Sequence, residues 1–172
     1  MYMSNSTKQA LQELVSLAYI TNAKIDRMKS VLNAKFAYNQ LGEKVHQFIA
    51  HYFSNGIGDA LSEICLERYN IPVVFGGIPL MNQEYNSVTD VLIELQKNCQ
   101  EFQIAICQCQ RIADENNDKH ISAELTEFIR DYNQIVDQTI LFVDKIQMYK
   151  DNPMFDADVD KFFILDNLEL LK

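Results

Sequence analysis

The sequence predicts an all-α fold, a bundle of long antiparallel helices, and three observations carry that prediction. Leu92, Leu95, Cys99, Phe102, Ile106, Cys109 and Ala113 step by three and four residues. Ile121, Leu125, Phe128, Tyr132, Ile135, Thr139, Phe142, Ile146 and Tyr149 do the same. Strict 3–4 alternation is the seam of a left-handed bundle, because 3.5 residues per repeat keep one face on a neighbour. Only Asn116, Asn117 and Asp118 separate the two stretches, and so short a connection makes them antiparallel neighbours. The third observation is a like pattern earlier in the chain: Ile25, Met28, Leu32, Phe36, Leu41, Val45, Phe48 and Tyr52.

The elements follow in order. Ser6 with Gln9 reads as a capping box, and Leu11, Leu14, Val15 and Ala18 give the helix behind it an apolar face. Thr21-Asn22 suits a break, since both side chains compete for backbone hydrogen bonds. Ser54-Asn55-Gly56 reads as a stop. Ile57 to Cys65 forms a short helix that ends before Pro72. Pro72 to Met81 is an apolar loop with a turn at Gly76-Gly77. Ser87 with Asp90 starts a helix that runs to about Glu115. The last long helix runs from Lys119 to about Asp151 and is stopped by Asn152-Pro153. Two divisions of residues 6–53 stand open: an arm helix (1–21) plus one bundle helix, or two bundle helices with 54–86 as a long crossover. Residues 154–172 form a tail with its own apolar cluster.

With 172 residues, the chain makes one domain, 1–172, with a sizeable core. No apolar run approaches the ~20 residues a membrane helix needs, and the polar start Met1–Gln9 lacks a signal-peptide core, so the expected location is cytoplasmic. Cys65, Cys99, Cys107 and Cys109 lie inside helical patterns without C-x-x-C spacing, which argues for reduced thiols. The net charge of −9 hides an asymmetry. Residues 1–50 hold six basic against three acidic side chains, while the remainder holds nine against 21. A basic arm on an acidic body can bind phosphate locally; the bland alternative is a solvated helix face.

Metal-capable residues concentrate in one region. Glu43 and His46 form Glu-x-x-His, whose i, i+3 spacing places both on one helix face. His51 follows, and Glu63 and Glu67 share a face at i, i+4 with Asp59 one turn earlier. Carboxylates with imidazoles suit iron, manganese or zinc. The alternative is an amphipathic rim with solvated glutamates. His120 reads as a helix-start residue. Phosphate-binding, dinucleotide-binding and nucleophile-elbow motifs are absent.

Lys44-Val45-His46-Gln47-Phe48, His51-Tyr52-Phe53, Gly56, Gly76-Gly77-Ile78-Pro79-Leu80 and Ala113-Asp114-Glu115-Asn116-Asn117-Asp118 together resemble the ferritin-like superfamily, and within it the Dps branch of mini-ferritins. The resemblance touches about residues 32–150. It implies a ferritin-like four-helix bundle with an extra N-terminal helix or arm, a short crossover helix and a C-terminal tail. It implies a homo-oligomer, a dodecameric shell, that stores iron and protects DNA from oxidative damage. Glu43, His46, His51, Glu63 and Glu67 would be the metal ligands. Lys8, Lys24, Arg27 and Lys29 on the N-terminal arm would contact DNA. The chain departs from the family where Ile49-Ala50 follows Phe48 and His51 comes two residues late, and the dinuclear site is then incomplete. Two further functions stay open: a ferroxidase, and a non-catalytic helical interaction protein.

Overall fold

In the computed structural model, which describes residues 2–172, four long helices and a wrapped tail make up the molecule. Helix α1 is Asn5–Ala34. Helix α2 covers residues 39–69 and is irregular. It is α-helical at Asn39–Lys44 and Ile57–Ala60, but wider, with i→i+5 hydrogen bonding, at Val45–Ala50, Tyr52–Gly56 and Leu61–Leu66. A long crossover, 70–87, leads to α3 (Val88–Glu115) and then α4 (Lys119–Tyr149). The tail holds the short α5 (Met154–Asp158) and two 3-10 turns, Val159–Phe162 and Glu169–Leu171.

Both expected seams are where the spacing puts them. All seven α3 seam residues are buried, and so are the α4 seam residues from Ile121 to Ile146. Ser87 caps α3 by accepting from the Asp90 amide at 3.1 Å. The α3–α4 turn closes through Asn117 in the left-handed region (φ 62°) and an Asp118 amide that donates to the Ala113 carbonyl at 2.8 Å, as helix C-termini commonly do.

Of the two divisions left open for the first half, the structure takes the second, two bundle helices followed by a long crossover, but the break between the helices and the start of the crossover differ from the sequence expectation. Helix α1 does not break at Thr21-Asn22. Thr21 is buried, and the Asn22 amide donates to the Ala50 carbonyl of α2 at 2.6 Å, so a tertiary partner takes the hydrogen bond a break would have used. Residues 5–21 are therefore the first half of a bundle helix and not an arm. The cap is Ser4, whose hydroxyl accepts from the Thr7 amide, and not Ser6. The break falls at Lys35–Tyr38, where Ala37 takes φ 58°. The expected stop at Ser54-Asn55-Gly56 is absent too. Gly56 takes φ −90° and ψ −99° inside the i→i+5 winding, and the helix continues to Asn70, whose φ of 59° ends it. The Ile57–Cys65 segment thus belongs to the second half of α2, and among the described residues there is no separate crossover helix. Gly76-Gly77 lies in a stretch without regular structure and makes no turn.

Helix α1 packs on α2 and α3, and α3 on α4. The remaining side, between α2 and α4, is filled by the tail, which touches both. Gly42 lets α1 and α2 approach: a Cβ there would lie 1.9 Å from Asn33 Oδ1. At the other end, the Ser4 amide donates to both carboxylate oxygens of buried Asp118, at 3.1 and 3.3 Å. Burial alone would push the Asp118 carboxyl up, but hydrogen bonds with Thr7 and Ser4 hold it below the ordinary aspartate value.

Two outcomes follow for stability. Phe102→Ala should cost about 3–5 kcal/mol, as for other large-to-Ala changes in a closed core, read as a lower urea midpoint. Because the folded Asp118 value lies below the unfolded one near ~3.9, its contribution is complete above that value and is lost as pH falls through the folded value. Urea midpoints measured between neutral pH and pH 2 should therefore show a smaller acid loss for Asp118→Asn than for the parent.

Candidate functional site

The centre of the bundle is an aromatic junction. Phe53 of α2 meets Phe102 of α3 edge-on, with ring centroids 5.0 Å apart, and Tyr132 of α4 lies 5.2 Å from Phe102 and 5.8 Å from Phe53. Tyr52 joins at 5.9 Å from Tyr132. Edge-to-face contacts at these separations are favourable beyond the area they bury. Each hydroxyl has a partner: Tyr132 donates to the Cys99 carbonyl at 2.6 Å, and Tyr52 donates to Asp131 Oδ2 at 2.8 Å. Burial, then the adjacent Asp131 charge, pushes the Tyr52 phenol far above its usual range. Burial also pushes the thiols of Cys65, Cys99 and Cys109 up to about 12, which leaves them protonated and unreactive at neutral pH.

The expected metal residues are scattered. Glu43 is exposed and accepts a hydrogen bond from its neighbour Gln47. His46 is half-buried, with Nδ1 3.2 Å from Asp26 Oδ1 of α1. His51 stands beside it, ring centroids 4.4 Å apart. Glu63 and Glu67 are exposed further along α2. The structure thus brings together His46 and His51 and adds Asp26. Among the described residues no three His, Cys, Asp or Glu side chains form a group that could hold a metal ion.

The expected DNA contacts do not form a face. Lys8, Lys24, Arg27 and Lys29 lie on α1 itself, where about 100° per residue fans them around the helix. Two are engaged within the chain. Lys24 Nζ donates to Asn98 Oδ1 at 3.5 Å, while Arg27 donates to the Gln83 carbonyl at 3.1 Å and to Glu84 at 3.2 Å.

No protein-family profile matches this sequence, and no characterised protein matches it by sequence. Solved structures do match. An engineered closed form of the Archaeoglobus fulgidus ferritin superposes with a TM-score of 0.84 at 9% identity, covering 95% of this chain and 98% of that one. The open-pore ferritin of the same hyperthermophilic archaeon gives 0.83 at 10% identity, covering 92% and 94%.

The fold is ferritin-like. Di-iron bundles of this kind draw ligands from a Glu on each of two helices and a Glu-x-x-His on each of the others, all projecting inward. That set does not fit this chain. Among the described residues, the buried polar side chains of the ferritin-like bundle are Ser, Thr, Asn, Gln and two Asp, and none is Glu or His. Phe53, Phe102 and Tyr132 are buried instead, packed on one another between α2, α3 and α4.

Sequence reasoning missed Asp131 and Gln138, which with Tyr149, whose hydroxyl donates to Asp158 at 2.7 Å, are polar groups of α4 that hold the tail. Asp131 accepts from the Glu169 and Leu170 amides at 2.7 and 3.2 Å. The Gln138 side chain donates to the Phe162 carbonyl at 2.8 Å and accepts from the Ile164 amide at 2.7 Å. Their spacing of seven, two helical turns on one face, was the available signal. Asp131→Ala should destabilise the protein by about 3 kcal/mol, because it leaves buried donors without an acceptor. Amide exchange at Glu169 and Leu170 should accelerate at the same time.

Proposed function

We propose that this chain is a non-catalytic ferritin-like subunit that works by associating with itself, and not a ferroxidase. The observation that carries this reading is the core between α2, α3 and α4, where buried Phe53, Phe102 and Tyr132 pack on one another and no buried Glu or His is found among the described residues. Self-association draws its support from the crossover. Residues 70–83 contain no charged side chain, and Val74, Phe75, Ile78 and Leu80 are 65%, 68%, 56% and 82% exposed. The segment lies along α1: Gln12 bonds to the Pro72 carbonyl and the Val74 amide, and Tyr19 meets the edge of Phe75 at 5.7 Å. Exposed apolar stretches of this kind mark interaction sites. Two copies that each carry −9 repel wherever charge faces charge, so a neutral strip is where they can meet. A homo-oligomer of dodecameric size is compatible with this reading, and light scattering measures the number of copies.

DNA protection and iron storage are the competing readings. The orientations of Lys8, Lys24, Arg27 and Lys29 and the acidity of the remaining chain weigh against the first, and that aromatic core against iron oxidation. Iron as cargo would have to bind outside the bundle core.

Light scattering should return a mass of at least two chains, and Phe75→Asp with Leu80→Asp should lower it. A monomeric parent would remove self-association from the account. Fe(II) mixed with oxygen should oxidise no faster with the protein than in buffer. Oxidation that stops in Glu43→Ala with His46→Ala would restore the ferroxidase. DNA mobility unchanged at low salt is the third expected outcome, since phosphate binding is strongest there.

A further inference from the structure

The tail crosses the protein as a ligand crosses a binding groove. The groove runs between α2 and α4, and its polar groups read backbone. Gln138, fully buried, bonds one tail carbonyl and one tail amide, while buried Asp131 takes two successive amides. At the α2 start, Asp156 accepts from the Gln40 and Leu41 amides at 3.3 and 2.7 Å. Apolar sockets set the register: Phe163 meets Phe48 at 4.6 Å, under the Lys44 ammonium at 4.3 Å. A buried side chain amide that satisfies both a donor and an acceptor of an irregular segment gives main-chain affinity, and the sockets give specificity.

The joint between α4 and the tail bears on what else can fill this groove. Lys150 to Pro153 are all exposed, and both Lys150 and Asp151 sit in the left-handed region, at φ 52° and 56°, without being glycine. Such backbone costs energy for any residue with a Cβ, and strained joints favour exchange of the element they carry.

We propose that the α2–α4 groove is a peptide-binding site whose occupant in trans is the tail, residues 154–172, of a second copy, so that neighbouring chains exchange tails. The occupant's chemistry follows from the groove: two consecutive free amides for Asp131, a carbonyl and an amide two residues apart for Gln138, and an aromatic ring for the Phe48–Lys44 socket. The second copy carries the one sequence on the page that meets all three demands. The exchange rests on self-association but not on the crossover: a monomeric parent removes both, whereas absence of a mixed disulfide dimer removes the exchange alone.

The test uses full-length chains in a Cys107→Ser background, which removes the exposed native thiol. One chain carries Asn55→Cys at the groove and the other Lys172→Cys at the tail end; both positions line the same cleft. The two are mixed through a denaturation–refolding cycle and oxidised. A covalent dimer of one chain of each kind, well above the level either chain forms alone, is the expected result. Lys150→Gly in both chains, which relieves the joint, should lower its yield about fivefold. A chain carrying both substitutions reports the closed arrangement. If it bonds internally while the mixture gives no mixed dimer above background, exchange is overturned. If it bonds neither internally nor across chains, the tail does not occupy the groove at all and the proposal falls.

Discussion

The contact on which this architecture depends is the aromatic junction of α2, α3 and α4. Phe53 meets Phe102 and Tyr132 edge-on, Phe102 and Tyr132 are tilted against each other, and Tyr52 ties them to Asp131. Packing at interior density leaves no room there for another group. The same residues supply cohesion, and none of the three carries a carboxylate or imidazole. The tail depends on the junction as well, because Asp131 faces Tyr52 on one side and the last 3-10 turn on the other.

How much of this was legible in the sequence varies along the chain. The α3 and α4 seams were, because 3–4 spacing over eight turns has no other economical explanation and the cap at Ser87 and the turn at Asn117 are local chemistry. The division of the first half was not. Thr21-Asn22 has the composition of a break, but Asn22 finds its partner 28 residues away on α2, a tertiary bond that local propensity cannot register. Gly56 has the composition of a stop, yet its freedom serves a wide helical turn packed on Tyr52. The i→i+5 winding of α2 also shifts side chains off the 3.6-residue period, which blurs which residues share a face. Glu43 and His46 look paired on an ideal helix. In the folded chain Glu43 is exposed, and His46 turns to Asp26.

The site was legible only in part, for a related reason. The ferritin-like resemblance rested on short segments, two inside α2, one in the irregular crossover and one at the α3–α4 turn. What decides chemistry is the identity of the inward positions, and these become known only when the register of α2 against α3 and α4 is fixed. The tail's contribution was visible as an apolar cluster, but its place against Gln138 and Asp131 could not be read from composition. Likewise the charge asymmetry of the first 50 residues was real in sequence, while the helix that carries it disperses the basic groups around its circumference.

A crystal grown with Fe(II) under anaerobic conditions and measured across the iron absorption edge tests the central claim most directly. No anomalous peak is expected inside the four-helix core, with Phe53, Phe102 and Tyr132 in van der Waals contact. Two peaks roughly 3.5–4 Å apart, as in dinuclear metal sites, between α2, α3 and α4 would contradict it.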